Sequence, residues 1–138
     1  MHTEHLSNLH FGWIVGGWLI AAAVTSGVYL ALLGIGLPPP GRFEVAAISV
    51  AIAAGFFVGG LFVGLRWSNA PILHGAAITF FSVVLWFVGS LAVPGGLKVA
   101  QQSAPEILGL VLLQLVASIA GGRFGRSLVR GEGPAARE

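Results

Sequence analysis

Four long apolar stretches dominate the chain, and each is bounded by charged residues. No Asp, Glu, Lys or Arg occurs within residues 5–41, 45–65, 67–97 or 107–122. A transmembrane helix needs about 20 mostly apolar residues, so the first three stretches are long enough and the fourth is marginal. The pattern predicts an integral membrane protein that crosses the bilayer four times.

Prolines, glycines and charges set the ends of the four predicted spans. We expect helices over about 10–33, 44–65, 71–93 and 105–122. The prolines at 38–40 cannot donate to a helical hydrogen-bond ladder, and Pro71 suits the first turn of a helix. The prediction is an all-α, four-helix transmembrane bundle over 10–125, with a cytoplasmic N-terminal tail over 1–9 and a basic cytoplasmic C-terminal tail over 126–138.

The two halves of the chain resemble each other. Glu44 and Glu106 stand 62 positions apart, each at the head of an even-numbered span, and at the same offset residues 59–62 match residues 121–124. Because each half is a two-span hairpin, both copies would enter the membrane in the same direction, as in a parallel repeat. The sequence therefore predicts two tandem parallel-repeat helical hairpins.

Small residues recur at four-residue spacing, which places them on one face of each helix. In a membrane, such faces let two helix backbones approach closely. We expect packing within the bundle on the second and fourth spans, at Ala47, Ala51, Gly55, Gly59, Gly60, Gly64, Ala117, Gly121 and Gly125. The first span carries a similar set, for which both internal packing and contact with a partner stay open: Gly12, Gly16, Ala23, Gly27 and Ala31.

Composition and charge indicate where the protein is located and how it is oriented in the membrane. Charged residues make up 9% of the chain, against roughly a quarter in soluble domains, and the mean hydropathy is +0.90. Residues that we expect to anchor the cytoplasmic side are Arg66, Trp67, Arg123, Arg126 and Arg130. By the positive-inside rule both termini are predicted to be cytoplasmic, in a bacterial inner membrane. A net charge of +2 without a broad basic face does not favour nucleic acid as a partner.

The chain offers few groups for catalysis or metal binding. It contains no cysteine and no aspartate, so a thiolate nucleophile and a Ser-His-Asp triad are both excluded. No charge lies inside a span, which disfavours a pump or an ion-coupled transporter. His2, His5 and His10 on the N-terminal segment are a weak metal-binding pattern, since no cysteine accompanies them. We therefore expect no enzyme activity and no metal site.

Two histidines at the starts of odd-numbered spans raise one cofactor hypothesis. His10 and His74 lie where an axial ligand of a chlorophyll or haem could sit. Ala70 lies four residues before His74, a spacing typical of bacterial light-harvesting helices, but Pro71 is expected to leave Ala70 outside the helix. Interfacial hydrogen bonding is the favoured role. No cofactor is required, and a bound lipid or chlorophyll-type pigment stays open.

One run of residues resembles a pattern in small bacterial membrane proteins. It consists of Gly59-Gly60, then Gly64-Leu65-Arg66, then Leu73-His74-Gly75-Ala76. The similar proteins have four spans, a glycine-rich second helix that ends in Gly-x-Arg or Gly-Arg, and a His-Gly pair that opens the third. The resemblance implies a four-helix fold and no assigned activity.

Three functional hypotheses follow from these features. The first is a non-catalytic accessory subunit that packs through small-residue faces against other membrane subunits of a larger, energy-converting complex, photosynthetic or respiratory. The second is a small transporter or channel component that acts as an oligomer and is lined by Thr25, Ser26, Thr79, Ser82 and Gln114. The third is a pigment-binding subunit that uses His10 or His74.

Overall fold

The described residues form a bundle of four long helices and one short one. The structure is a computed structural model that describes residues 9–37, 43–66 and 70–130. The helices are α1 (Phe11–Gly34), α2 (Phe43–Arg66), α3 (Pro71–Ala92), α4 (Gly96–Gln102) and α5 (Ala104–Arg130), and these three segments contain no strand. All but α4 are long and apolar enough to cross a membrane. The predicted all-α four-helix bundle is confirmed.

The first three spans begin and end within one residue of their predicted positions, but the fourth is longer. We expected it to end around Gly122, whereas α5 continues to Arg130, into the segment predicted to be a tail. The uncharged stretch does end at Gly122, but arginine is a good helix former, so the helix can continue beyond that residue. Gly125 also packs against α2, since a methyl group added to it would lie 2.5 Å from the carbonyl oxygen of Leu61.

The connection between the third and fourth spans contains helix α4. The predicted spans leave residues 94–104 as a connection without a helix, and the structure has a turn followed by a seven-residue helix there. Gly95 forms the turn with φ of 81°, a left-handed conformation that glycine adopts without steric cost. Lys98 is exposed on α4.

Helix α1 ends in a glycine cap before the proline segment. Gly36 has φ of 78°, and its N–H donates to the carbonyl oxygen of Leu33 at 3.0 Å. The N–H of Leu37 donates to the carbonyl oxygen of Leu32 at 2.9 Å. This pair of bonds is a Schellman motif, which satisfies carbonyl groups that the helix end would leave unpaired.

The centre of the bundle is a crossing of two parallel helices, α2 and α5, built from glycines. A methyl group on Gly60 would overlap the carbonyl oxygen of Ser118, and one on Gly121 would overlap the carbonyl oxygen of Phe57. Each helix thus places a glycine on a carbonyl of the other. Van der Waals contact between backbones is a main source of helix association in membranes, and glycine permits it.

The contacts between α2 and α5 are reciprocal over two turns. One turn beyond the first contacts, Gly64 faces the carbonyl oxygen of Gly122 and Gly125 faces that of Leu61. Both pairs of contacts fit an offset of 61 residues, which makes Gly60 equivalent to Gly121 and Gly64 equivalent to Gly125. A quasi-two-fold axis therefore relates the two helices. The sequence match had an offset of 62. Neighbouring residues on a helix point about 100° apart, so an offset of 62 would pair residues on different faces of the two helices. The observed contacts therefore select the offset of 61.

The outer helices do not share this symmetry. α1 packs on α2 at Gly55 and Gly59, where added methyl groups would lie 2.5 Å from carbonyl oxygens of α1. With the offset of 61, the equivalent positions of α5 are Val116 and Ala120, and both are exposed. α3 instead meets α5 through Gly75. The predicted repeat therefore holds for the direction of the two hairpins and for the packing of α2 against α5. It does not hold for α1 and α3, which do not occupy equivalent positions.

The hydrophobic core is small and lies between the four long helices. Its buried apolar residues are Ile14, Ala21, Phe56, Val63, Ile78 and Ala117. Large apolar residues elsewhere on the helices are exposed, for example Phe80 with 70% and Val116 with 65% of the residue surface accessible. Extensive exposed apolar surface marks contact with a membrane or with another protein.

Candidate functional site

The two ends of the bundle carry different charges. α1 and α3 begin at the same end, because the backbone nitrogen of His10 lies 3.4 Å from Nε2 of His74. α2 and α5 run the opposite way, so their C-terminal arginines gather at this end: Arg66, Arg123 and Arg126. At the opposite end lie Glu44, Lys98 and Glu106.

Both glutamates are exposed in first helical turns, Glu44 in α2 and Glu106 in α5. A carboxylate at this position interacts favourably with the positive end of the helix dipole. Other residues considered above lie outside the described parts of the chain, namely His2, His5 and Trp67, as does the side chain of Arg130.

His74 is wholly buried, and both of its ring nitrogens are in hydrogen bonds. Nδ1 lies 2.9 Å from the carbonyl oxygen of Ala70, and Nε2 lies 3.4 Å from the backbone nitrogen of His10. Since the backbone N–H of His10 donates, Nε2 accepts and Nδ1 carries the proton. The imidazole therefore joins the start of α1 to the start of α3. Ala70 is the N-cap residue of α3 and lies outside the helix, as expected from Pro71.

The surroundings of His74 and His10 affect the hypothesis that either histidine binds a pigment. A macrocycle that used Nε2 of His74 as its axial ligand would have to displace the hydrogen bond from the backbone of His10 and enter a site with no exposed surface, while the bond of Nδ1 to Ala70 could remain. The His10 side chain is exposed and borders an open surface depression with Phe11 and Trp13. Pigment binding through either histidine stays a prediction.

A buried polar cluster joins α3 to α5. The hydroxyl of Ser118 donates to the carbonyl oxygen of Gly75 at 2.9 Å and lies 3.1 Å from the hydroxyl of Thr79. Thr79 and Ser118 are 39 positions apart, and nothing in the sequence pairs them. The cluster satisfies hydroxyl groups that would otherwise be costly in an apolar environment.

The residues proposed to line a pore lie in separate places. Thr25 lies between α1 and α2 beside Gly55, where its buried hydroxyl oxygen has no hydrogen-bond partner among the described residues. Thr79 belongs to the cluster with Ser118. Ser82 and Gln114 face a cleft between α3 and α5. One copy of the chain therefore does not form a continuous polar lining from them.

Helix α1 has one buried face and, opposite to it, a face rich in glycine. The buried residues are Ile14, Gly17 and Ala21. Because successive helical residues are about 100° apart, a second set points the other way. We name it the α1 glycine face, and it consists of Gly12, Gly16, Leu19, Ala23, Gly27, Leu30 and Gly34.

The glycines of this face have no neighbour in the bundle. A methyl group added to any of its four glycines would meet nothing within 4 Å. Gly17, on the buried face of the same helix, behaves differently, because its added methyl group would lie 2.7 Å from Ile78 and 2.8 Å from Val63. The α1 glycine face is therefore the small-residue surface of α1 that the described bundle leaves uncovered.

Comparison of the chain with known protein families, curated proteins and solved structures found no match. The resemblance to small four-span bacterial membrane proteins stays a prediction. A functional assignment therefore depends on the surfaces and cavities of the bundle itself.

Proposed function

We propose that the protein is a non-catalytic subunit of a larger membrane complex and that it docks on another membrane protein through the α1 glycine face. The observation that carries the proposal is the set of glycines in α1 at which an added methyl group would meet nothing within 4 Å in the described bundle. Glycine in a helix interior costs up to about 1 kcal/mol relative to alanine. Close backbone packing offsets that cost at Gly60 and Gly121, whereas no contact within the bundle offsets it on the α1 glycine face.

The chemistry of this face suits a partner helix. Small residues let a second backbone approach, which increases van der Waals contact and allows Cα–H···O contacts. The same chemistry operates within the bundle where α2 crosses α5. Leu19 and Leu30 are 55% and 65% exposed, and they provide apolar ridges between the glycines.

Charge supports a placement in the bacterial cytoplasmic membrane with both termini in the cytoplasm. Four arginines of the described helices, Arg66, Arg123, Arg126 and Arg130, lie toward the end where α1 begins and α5 ends, and the opposite end carries both described glutamates. Cytoplasmic ends of membrane proteins carry an excess of Lys and Arg. The expected partner is a subunit of an energy-converting complex.

Bulky residues on the α1 glycine face should remove the partner without unfolding the bundle. We expect the Gly16→Leu/Gly27→Leu double variant to lose most of a membrane protein that co-purifies with the native chain in mild detergent, because leucines would hold the partner backbone away. The measurement is the mass and subunit composition of the purified complex.

Gly109→Leu is the matched control, since a methyl group added there also meets nothing within 4 Å and Gly109 lies on α5. This variant should keep the partner. A native chain that purifies as a lone monomer, or a double variant that retains the partner in full, would contradict the proposal.

A further inference from the structure

The last two turns of α5 place their arginines on one side of the helix. Arg123 and Arg126 are three positions apart, and Arg130 follows four positions later, so all three fall within a sector of about 60° at about 100° per residue. This sector lies about 140–200° around α5 from Gly121, which contacts α2. We name Arg123 and Arg126 the arginine pair. It lies on the side of α5 that faces away from α2.

The arginine pair lies at the edge of the part of α5 that can span the hydrocarbon layer. Residues 104–122 of the helix rise about 28 Å at 1.5 Å per residue, which nearly matches a layer about 30 Å thick. Arg123 is the first charged residue after them. Phe124 and Leu128 are 52% and 56% exposed, and each lies about 160° around the helix from Arg126. Apolar residues on one side and arginines on the other suit the boundary between hydrocarbon and lipid headgroups.

The arginine pair has no acidic partner in the part of the chain that the structure describes. Both described glutamates, Glu44 and Glu106, lie at the opposite end of the bundle. Arg123 is exposed and Arg126 is half-buried. Side chains three positions apart on a helix are neighbours, with about 5–6 Å between their Cβ atoms, and like charges at this spacing repel. An anion that accepts hydrogen bonds from both guanidinium groups would remove that repulsion.

We propose that the arginine pair binds the headgroup phosphate of an anionic phospholipid in the surrounding leaflet. Charge favours an anionic lipid over a zwitterionic one, because the described part of this end has no carboxylate to pair with the ammonium group of a zwitterionic headgroup. Arginine suits the role, since its planar guanidinium forms paired hydrogen bonds with phosphate. Arg66 lies about 200° around α2 from Gly64, which contacts α5, and is therefore not part of the site. The site is independent of the docking face on α1.

Native mass spectrometry of the protein in mild detergent tests this assignment with two added lipids. Phosphatidylglycerol has a net negative charge, whereas phosphatidylcholine with the same acyl chains is zwitterionic. We expect the native chain to retain phosphatidylglycerol in preference to phosphatidylcholine. The Arg123→Gln/Arg126→Gln variant should lower the ratio of the two affinities by roughly 30-fold, the factor that two arginines provide at an anionic membrane surface.

Arg66→Gln/Lys98→Gln is the matched control, because it removes the same net charge from exposed positions outside the arginine pair. Neither Arg66 nor Lys98 has a second cation within four positions, so this variant should keep most of the preference. The Arg123→Lys/Arg126→Lys variant keeps both charges but loses the paired donors of the guanidinium groups. Its preference should lie between that of the native chain and that of the glutamine variant.

Competition with inorganic phosphate separates a lipid site from a site for anions in solution. Phosphatidylglycerol that stays bound at an equal concentration of inorganic phosphate supports the lipid assignment, and its displacement would overturn that assignment. Equal retention of the two lipids by the native chain would also overturn the site. So would equal losses of preference in the arginine-pair glutamine variant and in the matched control, since the effect would then depend on net charge alone.

Discussion

Alanine at Gly60 or at Gly121 should destabilise the bundle by about 1–3 kcal/mol each, the cost of forcing an extra methyl group into a filled interface. At both positions the new methyl group would overlap a carbonyl oxygen of the facing helix, Ser118 for Gly60 and Phe57 for Gly121. A backbone carbonyl cannot swing aside as a flexible side chain can, so the two helices must move apart. The separation would also weaken the neighbouring contacts of the crossing.

Gly109→Ala and Gly27→Ala are the matched controls. Both replace a helical glycine that has open space around it, so alanine should be neutral or should stabilise by up to about 1 kcal/mol through its higher helix propensity. Reversible unfolding in mixed detergent micelles measures the free energy of unfolding of all four variants. Equal effects at the crossing and at the control positions would refute the role of close backbone contact.

Replacing His74 by leucine should cost about 1–3 kcal/mol, because the exchange removes two hydrogen bonds from a wholly buried position. The loss has a local signature as well. Nε2 of His74 accepts from the backbone of His10 at the start of α1, so the first turn of α1 should exchange its amide hydrogens faster in His74→Leu. Hydrogen exchange measured by mass spectrometry reports this directly.

Ser49→Ala is the control for the histidine exchange. The Ser49 hydroxyl bonds to a carbonyl of its own helix, Val45 at 2.7 Å, on an exposed surface. Its removal should change the free energy of unfolding by less than about 0.5 kcal/mol. If His74→Leu behaved like Ser49→Ala, the imidazole would not hold α1 and α3 together.

Much of the fold could be predicted because membrane helices are bounded by strong signals. Pro71 starts α3, and the first three apolar stretches between charges are as long as a bilayer requires. The extension of α5 to Arg130 could not be predicted from apolar length. It depends on packing, since Gly125 continues the contact with α2 beyond the uncharged stretch, which ends at Gly122.

Small-residue spacing identifies a helix face but not the helix that it meets. Gly59 and Gly60 are adjacent in sequence, yet Gly59 lies against α1 and Gly60 against α5, because one residue turns the helix by about 100°. For the same reason the predicted duplication did not give the packing of α1 and α3. With the offset of 61, Val116 is the residue of α5 that is equivalent to Gly55 of α2. Which outer helix packs on which inner face is a tertiary property.

The candidate sites were predictable to different degrees. The glycines of α1 were visible in the sequence, but that they are uncovered depends on which face α1 turns toward α2. The cleft that Ser82 and Gln114 face had no sequence signal beyond one amide in an apolar helix, because it depends on how α3 and α5 pack. The hydrogen bonds of His74 likewise depend on the proximity of two helix starts that are 64 residues apart.

Photocrosslinking in native membranes tests the docking proposal most directly. A photoreactive amino acid is placed at Leu19 or Leu30 on the α1 glycine face, and at Leu112 or Val116 as exposed control positions on α5. We predict that both α1 positions capture the same membrane protein and that both α5 positions capture lipid. Lipid adducts alone at all four positions, or capture of that protein from α5 and not from α1, would contradict the account.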